Sequence, residues 1–319
     1  MTRDDITPAL SGLWQPLPGG ESEGLADVQV LRLDAHHSRA PGNKWFKLQP
    51  LLEGAREEGC HRLLSFGGAW SNHLHALAAL GAAEGFATIG VVRGDIATEP
   101  TPTLRDCLDL GMHLVPVSRG DYRRRHDPAF QAQLLAAHGP ALLVPEGGDC
   151  PDGARGCLPL GREIARAFPG GATVVLPVGT GTTLAGIVAA LGSGYRVLGM
   201  AALKGAGDLE QRVARNLEAL LAGGHADGAA GGCAWEIRHD CHEGGFARVS
   251  PALRQFLCRV ETQLALPLEP VYTAKALFAL QRLLAAGEID RRRPVVFVHT
   301  GGLQGRRGYD WLPPYDSAG

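Results

Sequence analysis

Short runs of valine, leucine and isoleucine recur along the chain and alternate with alanine- and leucine-rich segments that have helical spacing. The runs are RLLSF (62–66), TIGVV (88–92), HLVPV (113–117), ALLV (141–144), TVVLPV (173–178), RVLGM (196–200) and PVVFVH (294–299). Continuous apolar strands that alternate with helices are typical of mostly parallel sheets covered on both faces. We therefore predict an α/β fold, in which ligands bind where strands lead into helices.

Length, charge and cysteine usage narrow the class of protein. A chain of 319 residues can form two domains. The formal net charge is -2 and Lys and Arg are scattered, so the sequence does not show the basic patch that is typical of nucleic-acid-binding proteins. The seven widely spaced cysteines include no CxxC pair, so we expect reduced thiols and no metal site. The opening MTRDDITPAL lacks an apolar signal segment, and no run reaches about 18 apolar residues, so we expect a cytoplasmic protein without membrane association.

The segment VGTGTTLAG (178–186) follows an apolar run and opens a helical segment. Glycines let the backbone approach a ligand, and a helix N-terminus presents N–H groups and a favourable dipole to an anion. The segment is not a P-loop, and although Gly179-Thr180-Gly181 begins like a dinucleotide fingerprint, no acidic residue ends the next strand. It therefore predicts a phosphate site, with a tight packing turn as the alternative.

The segment SFGGAWSNHLHALA begins at Ser65 and places Ser71, Asn72 and His73 at the start of a helix. A Ser or Asn at this place is first of all an N-cap. The functional alternative is that hydroxyl, amide and N–H groups together bind a carboxylate.

The segment PGNKWFKL (41–48) carries two lysines three residues apart after a turn signal. Pro50 fits best in the first turn of the following helix, which puts Lys44 in the turn or just before the helix. Lys47 is then expected on the solvated side. A lysine held among apolar neighbours can act as a nucleophile and proton carrier.

Two late segments, PVYTAKA (270–276) and VFVHTGG (296–302), carry further polar side chains. Tyr272 is either a core aromatic residue with a satisfied hydroxyl or a site residue. Thr273 and Thr300 are either caps or functional hydroxyls.

In this order, GNK, SFGGxxSN, the Gly/Thr loop, PVYT and HTGG resemble the family of 1-aminocyclopropane-1-carboxylate deaminase and D-cysteine desulfhydrase, which are pyridoxal phosphate (PLP) enzymes. PEGG (145–148) and HTGGLQG (299–305) also match, and the likeness runs from about Leu31 to about Gly308. The resemblance implies the tryptophan-synthase-β type of fold (PLP fold type II), with a mostly parallel twisted sheet in each of two domains. The larger, PLP-binding domain would comprise residues 1–46 and 159–319 and the smaller one 47–158. The active site would lie in the cleft between them, and the enzyme would be a homodimer.

The resemblance also implies roles for single residues. Lys44 would be the Schiff-base lysine and the base that takes the Cα proton, whereas Lys47 matches a second lysine that does not carry the cofactor. Asn72 would bind the ring oxygen of the cofactor, and Ser71 would orient or protonate the substrate. The phosphate would be held by Gly179, Thr180, Gly181, Thr182 and Thr183.

The remaining roles concern the substrate side of the cofactor. Tyr272 would stand over the site, and Thr273 or Thr300 would face the pyridine nitrogen. The substrate would be bound by Ser71, Asn72, His73 and Phe246. Spacing puts Phe246 where the family has a second tyrosine, and Thr273 stands where the cyclopropane deaminases have Glu. Both departures weigh against opening of a cyclopropane ring.

The leading hypothesis is a PLP-dependent lyase that eliminates the β-substituent of D-cysteine, or of a similar small amino acid, to give pyruvate and ammonia. The alternatives within the PLP class are an amino-acid racemase and a cyclopropane deaminase, which would use the same cofactor and site residues. From another class, the Gly/Thr loop could serve a nucleotide-dependent oxidoreductase. A PLP-binding protein with low turnover is the fourth alternative, which Phe246 keeps open.

Overall fold

The computed structural model describes residues 10–17, 23–95, 99–225 and 232–313. Residues 1–9, which bear on the predicted location, lie outside them. Strands β1 to β10 are Trp14–Pro16, Val28–Arg32, Arg62–Gly67, Ala87–Arg93, His113–Val117, Leu142–Val144, Thr173–Val178, Arg196–Ala201, Ala234–Arg238 and Val295–His299. Helices α1 to α11 are Asn43–Glu57, Asn72–Glu84, Pro102–Asp109, Arg119–Arg123, Pro128–His138, Pro151–Gly156, Leu158–Ala167, Thr182–Ala190, Leu209–Ala222, Pro251–Leu264 and Thr273–Ala285. Short 3-10 helices are Leu33–Ala35, Glu146–Gly148, His239–Cys241 and Leu303–Gly308.

The first sheet has six strands in the order β1-β2-β10-β7-β8-β9. Its strands pair in parallel except for β1, which is antiparallel to β2 at the edge. Every residue of β7 and of β10 is buried. Both strands are continuous apolar runs because neither face of a central parallel strand meets water. The predicted α/β class is confirmed.

The second sheet has four strands in the order β5-β4-β3-β6, all parallel. Leu64 and Phe66 of β3 and Ile89 and Val91 of β4 form the core of one face, where they pack with Tyr122. The predicted runs at 62–66, 88–92, 113–117 and 141–144 correspond to these four strands to within one residue at each end.

By its contacts the chain divides into two compact units. The first comprises residues 1–37, 41–43 and 150–303 and holds the six-stranded sheet. The second comprises residues 38–40, 44–149 and 304–319 and holds the four-stranded sheet. The chain passes from the first unit to the second between Asn43 and Lys44. The domain boundaries expected from the family resemblance stay a prediction.

Parallel pairing gathers the functional loops at the carboxyl edge of each sheet. In the first unit β7 and β10 are neighbours, so the loops after Val178 and His299 begin side by side. In the second unit β3 and β6 are neighbours, and the loops after Gly67 and Val144 begin side by side. Ligand sites of parallel sheets lie at such edges.

Helix α1 differs from the prediction for the segment after Asn43. The helix begins at Asn43, so Lys44 is its second residue and Pro50 lies inside it, not in its first turn. Proline lacks an N–H group, and one i→i−4 hydrogen bond is therefore missing at this place. The early start has a physical cause, because the N–H group of Asn43 donates to the carbonyl of Thr300 (3.0 Å) and fixes the first turn.

Three strands were not predicted: β1, β2 and β9. Their sequences WQP, VQVLR and AWEIR mix polar and apolar residues, since β1 and β9 are edge strands and β2 lies next to an edge. No helix among the described residues is long and apolar enough to cross a membrane.

Replacing either of two helical glycines with alanine should change the stability, in opposite directions. A Cβ at Gly161 of α7 would lie 2.6 Å from the carbonyl oxygen of Ile187 in α8, whereas nothing lies within 4 Å of a Cβ at Gly54. Gly161→Ala should lower the free energy of unfolding by about 1–3 kcal/mol because the helices must move apart. Gly54→Ala should raise it by about 0.5–1 kcal/mol through helix propensity. Urea unfolding of both variants measures this, and a stable Gly161→Ala would contradict the close packing.

Candidate active site

Asn43 joins three of the sequence motifs within the first unit. Its backbone N–H donates to the carbonyl of Thr300, and its side-chain Nδ2 donates to Oγ1 of Thr183 at 2.9 Å. Asn43 is buried, with 8% of its surface exposed. One residue therefore connects the GNK segment with both the Gly/Thr loop and the HTGG segment, and Lys44 follows it directly in the chain.

The backbones of Gly42 and Gly301 touch at the same place. A Cβ at Gly42 would lie 2.4 Å from the carbonyl oxygen of Thr300, and one at Gly301 would lie 2.6 Å from Cα of Gly42. Both glycines also have positive φ, +98° and +81°. Only glycine adopts this conformation readily and has no Cβ that would clash. The Pro-Gly-Asn turn therefore lets the backbone at Gly42 contact the backbone that follows β10.

The loop at 179–183 connects β7 with the N-terminus of α8. Gly181 takes a left-handed conformation (φ +82°) as the N-cap, and glycine has no side chain with which to cap the helix. The hydroxyls of Thr180 and Thr182 lie 2.8 Å apart. Backbone N–H groups, the helix dipole and threonine hydroxyls form a donor set for an anion. The residues present fit the phosphate of PLP.

Tyr272 lies against this loop. A Cβ at Gly179 would lie 3.3 Å from Cε1 of Tyr272, so the glycine leaves room for the aromatic ring. The turn that carries Tyr272 is held by the buried carboxylate of Glu269, which accepts N–H groups from Val271 (2.8 Å), Tyr272 and Thr273 (2.8 Å). Burial raises the pKa of Glu269, against the effect of these donors.

The two candidate threonines differ in how their hydroxyls are used. Oγ1 of Thr273 accepts the N–H of Glu269 at 2.9 Å and donates to the carbonyl of Glu269 at 3.3 Å. The hydroxyl of Thr300 makes no hydrogen bond to any described residue, although Thr300 is 8% exposed. Of the two, Thr300 has the hydroxyl that is available to a ligand.

A buried contact between an imidazole and a carboxylate supports the segment before Thr300. Nδ1 of His299 lies 3.0 Å from Oδ1 of Asp34, and Nε2 of His299 lies 2.8 Å from the carbonyl of Pro267. Burial alone would raise the pKa of Asp34, but His299 and Arg32 outweigh it and hold this pKa well below its usual range. The end of β10 is therefore held by its neighbours on two sides.

Phe246 lies beside Tyr272, with 6.3 Å between their ring centroids, and 46% of Phe246 is exposed. The carbonyl of Gly245 accepts a hydrogen bond from Nζ of the buried Lys275 at 2.7 Å. Burial lowers the pKa of Lys275 to about 8. The structure thus puts Phe246 next to Tyr272. Lys275 binds the loop that carries Phe246.

In the second unit, Ser71 and Asn72 stand at the N-terminus of α2. Oγ of Ser71 accepts the N–H of Leu74 at 3.2 Å, so the predicted N-cap is confirmed. Oδ1 of Asn72 accepts a hydrogen bond from Nε2 of Gln304. Both residues are half-buried and stay accessible to a ligand. The imidazole of His73 is buried at 3% exposure, which leaves its backbone N–H as the group that could meet a substrate.

The expectation that Lys47 is solvated is wrong. Lys47 is 3% exposed, and its Nζ donates to the carbonyl of Gly147 at 3.2 Å. Gly148, with φ +69°, leaves room for the lysine stem, since a Cβ there would lie 3.1 Å from Cβ of Lys47. The adjacent Glu146 is fixed by Tyr122 (2.6 Å) and Arg125 (2.5 Å). Lys44, by contrast, is half-buried.

The predicted site residues thus form two groups. In the first unit, Asn43 binds the loop at 179–183 and the strand end with Thr300. Tyr272 lies against the same loop and beside Phe246, and Thr273 follows Tyr272 on its turn. The second unit holds Lys44 and the helix start with Ser71, Asn72 and His73.

Four residues that support these groups were given no role by the sequence reasoning: Asn43, Glu269, Lys275 and Gln304. Asn43 and Gln304 lie inside motifs that were already noted, and the Glu before PVYT was visible as an isolated acid in an apolar stretch. Their partners, however, are distant in sequence or are backbone groups. The sequence shows no signal for such pairings.

Comparison with known proteins shows which family the chain belongs to. The family described as "Pyridoxal-phosphate dependent enzyme" matches residues 17–301. The chain belongs to this family. Its cofactor is PLP, and a nucleotide-dependent oxidoreductase is not supported.

Two relatives support the resemblance to the deaminase and desulfhydrase family. A Pyrococcus horikoshii protein, provisionally named 1-aminocyclopropane-1-carboxylate deaminase, is 26% identical over 302 residues, which cover 92% of this chain and 90% of the relative. A D-cysteine desulfhydrase of Yersinia pestis is 28% identical over 288 residues, 86% of either chain. The crystal structure of a homologue of ACC (1-aminocyclopropane-1-carboxylate) deaminase superimposes with a TM-score of 0.80 at 23% sequence identity. The match covers 97% of this chain and 98% of the homologue. The predicted PLP fold type II is confirmed.

The buried His73 predicts a pH dependence of stability. Burial, with the nearby charges of Lys44 and Lys47, lowers its pKa from 6.5 to about 3. In the unfolded chain the ring takes up a proton below pH 6.5, whereas in the folded chain it does not. The neutral, buried His73 therefore does not lower the free energy of unfolding above pH 6.5. As the pH falls below 6.5, the free energy of unfolding decreases by at most about 1.4 kcal/mol per pH unit, because only the unfolded chain takes up the proton.

Because His36 and His75 also have lowered pKa values, the parent must be compared with His73→Asn. Urea unfolding from about pH 7 to about pH 5 should show the parent losing more stability per pH unit than the variant. Parallel curves would show that His73 takes up its proton equally in both states.

Proposed function

We propose that this enzyme eliminates the β-substituent of D-cysteine or of a similar small β-substituted amino acid, giving pyruvate and ammonia. The observation that carries this proposal is the pair of hydrogen bonds from Asn43 to Thr300 and Thr183. It joins a phosphate-type loop and an available hydroxyl to the residue directly before Lys44. The membership of the PLP-dependent family and the desulfhydrase relative support the reaction class.

PLP, when bound, withdraws electrons from Cα of an amino acid joined to it, so that a nearby amine can remove the Cα proton. Lys44 would carry the cofactor and, once the substrate takes its place, its amine would accept that proton. The backbone N–H groups at the start of α2 and the hydroxyl of Ser71 would bind the substrate carboxylate. With thiolate as the leaving group, D-cysteine and water give pyruvate, ammonia and hydrogen sulfide.

Asn72 and the loop at 179–183 would hold the cofactor at its two ends. Oδ1 of Asn72 already accepts from Gln304, which orients the amide so that its NH2 group can donate to the ring oxygen of the cofactor. The N–H and hydroxyl groups of 179–183 would bind the phosphate.

Thr300 is the better partner for the pyridine nitrogen, because the hydroxyl of Thr273 is bound within its own turn. A neutral hydroxyl does not hold a proton on this nitrogen as a carboxylate would, which favours direct elimination over long-lived carbanions. Together with Phe246 in place of a tyrosine, this weighs against cyclopropane ring opening. The homodimer and the cytoplasmic location stay predictions.

The attachment of the cofactor is tested by borohydride reduction and peptide mass mapping. In the purified protein incubated with PLP, the reduced adduct should map to Lys44 in the parent and in Lys47→Arg, and should be absent from Lys44→Arg. An adduct on another lysine, or none, would contradict the proposed site.

The reaction is tested with a panel of D- and L-amino acids, followed by assay of pyruvate. We expect pyruvate from D-cysteine and none from 1-aminocyclopropane-1-carboxylate, which would give a different keto acid. Loss of optical activity without pyruvate would show a racemase in place of a lyase.

The assignment of Thr300 predicts a difference between two matched variants. Thr300→Val should weaken PLP binding by about 3- to 10-fold through loss of one neutral hydrogen bond. Thr273→Val should mainly lower stability, because it leaves the N–H of Glu269 without its acceptor. PLP titration by absorbance, with thermal unfolding beside it, separates the two. The reverse pattern would assign the pyridine nitrogen to Thr273.

A further inference from the structure

The hydrogen bonds around His73 determine which of its ring nitrogens carries the proton. Oγ of Ser65 lies 2.7 Å from the carbonyl of Val144 and 2.9 Å from Nε2 of His73. A carbonyl only accepts, so the single hydroxyl proton of Ser65 is donated to Val144. Nε2 of His73 must then donate to Oγ of Ser65. The ring is neutral, in agreement with the lowered pKa, and its other nitrogen carries a lone pair.

That other nitrogen, Nδ1 of His73, has no hydrogen-bond partner in the part of the chain that the structure describes. The residue is 3% exposed, and no group among the described residues donates to Nδ1. A buried acceptor without a donor destabilises a fold, and such a group persists where it has a task or a donor that comes and goes. The question is which donor that is.

Two cations act on this ring, and they are the lysines of α1. The 3-10 helix Glu146–Gly148 contacts α2, and Lys47 binds it through the carbonyl of Gly147. Lys44 lies three residues before Lys47, on the same face of α1. In agreement with this placement, the charges of both lysines lower the pKa of His73. Lys47 already donates to the carbonyl of Gly147, and its stem packs against Gly148. Lys44 is the one whose amine must change partners, because under the proposed function it is joined to the cofactor at first and is then released.

We propose that Nδ1 of His73 accepts a hydrogen bond from the ε-ammonium group of Lys44 whenever that amine is released from the cofactor. The inference rests on the proposed role of Lys44. It makes His73 a positioning residue, which holds the amine after the Cα proton has been taken up and favours the charged form. Since the ring stays neutral, it can receive this hydrogen bond throughout the working pH range.

The test measures the pKa of the Lys44 amine in full-length protein. Hydroxylamine removes the cofactor from the lysine, and the amines are then labelled by brief exposure to acetic anhydride at a series of pH values. Trp45 and Phe46 lie between the two lysines, so chymotrypsin separates Lys44 from Lys47 for mass analysis. Lys47 in the same sample serves as the internal comparison.

Two variants of His73 distinguish the role of Nδ1 from that of Nε2. His73→Asn puts an amide oxygen near the place of Nδ1, whereas His73→Gln puts its amide near Nε2 and can keep the bond to Ser65. A hydrogen bond to a charged group is lost in the Gln variant, so the pKa of Lys44 should fall by about one unit there. In His73→Asn it should stay near that of the parent, and the pKa of Lys47 should be the same in all three proteins.

Equal shifts of Lys44 in both variants, no shift in either, or a shift of Lys47 in its place would each overturn the proposal. Because the labelling reports on the amine itself, it does not depend on turnover. Failure of the proposed function would show instead in the borohydride mapping, as an adduct outside Lys44.

A second measurement needs no change at His73. The ¹⁵N spectrum of the histidine rings in the hydroxylamine-treated protein should contain one ring that stays in the neutral Nε2–H form from about pH 8 to about pH 5. Its Nδ1 resonance should move much further in Lys44→Ala than in Lys47→Met, in which a nearby charge is lost but no hydrogen bond to Nδ1. Absence of such a ring, or of its response to Lys44→Ala, would overturn the proposal even if the variants at His73 fail to fold.

Discussion

The hydrogen bonds of Asn43 are the constraint on which the first unit's ligand-binding edge depends. Its backbone binds the strand end that carries Thr300, and its side chain binds Thr183 of the phosphate-type loop. The glycine contact at Gly42 and Gly301 lets these backbones approach closely enough for both bonds to form. Since Lys44 is the next residue, the same two bonds fix the point in the backbone from which Lys44 extends.

Behind the exposed loops stand buried polar groups that orient backbone and do not themselves face a ligand. Glu269 gathers three N–H groups of the Tyr272 turn, Lys275 holds the carbonyl before Phe246, and Lys47 holds the carbonyl of Gly147. Each is an ionisable group at most 3% exposed, and burial of such a group is tolerated only where well-placed partners bind it. A site built in this way can present neutral hydroxyls and N–H groups in fixed positions.

The sequence was sufficient for the fold class, for seven strands and for the family, because parallel strands and glycine loops leave local patterns. It failed where the partner is remote. Lys47 looked solvated because its acceptor, Gly147, is 100 residues away, and Asn43 drew no attention because Thr183 is 140 residues away. Pro50 was misplaced because the N–H of Asn43 is held by Thr300, which starts the helix early. Such pairings leave no periodic trace.

The central proposal is that Lys44 carries the cofactor and that the loop at 179–183 binds its phosphate. A crystal structure of the protein grown with PLP tests it most directly. We expect continuous electron density from Nζ of Lys44 to the cofactor ring and the phosphate group against the N–H groups of residues 179–183. Density that links the cofactor to another lysine, or a phosphate bound away from this loop, would contradict the account.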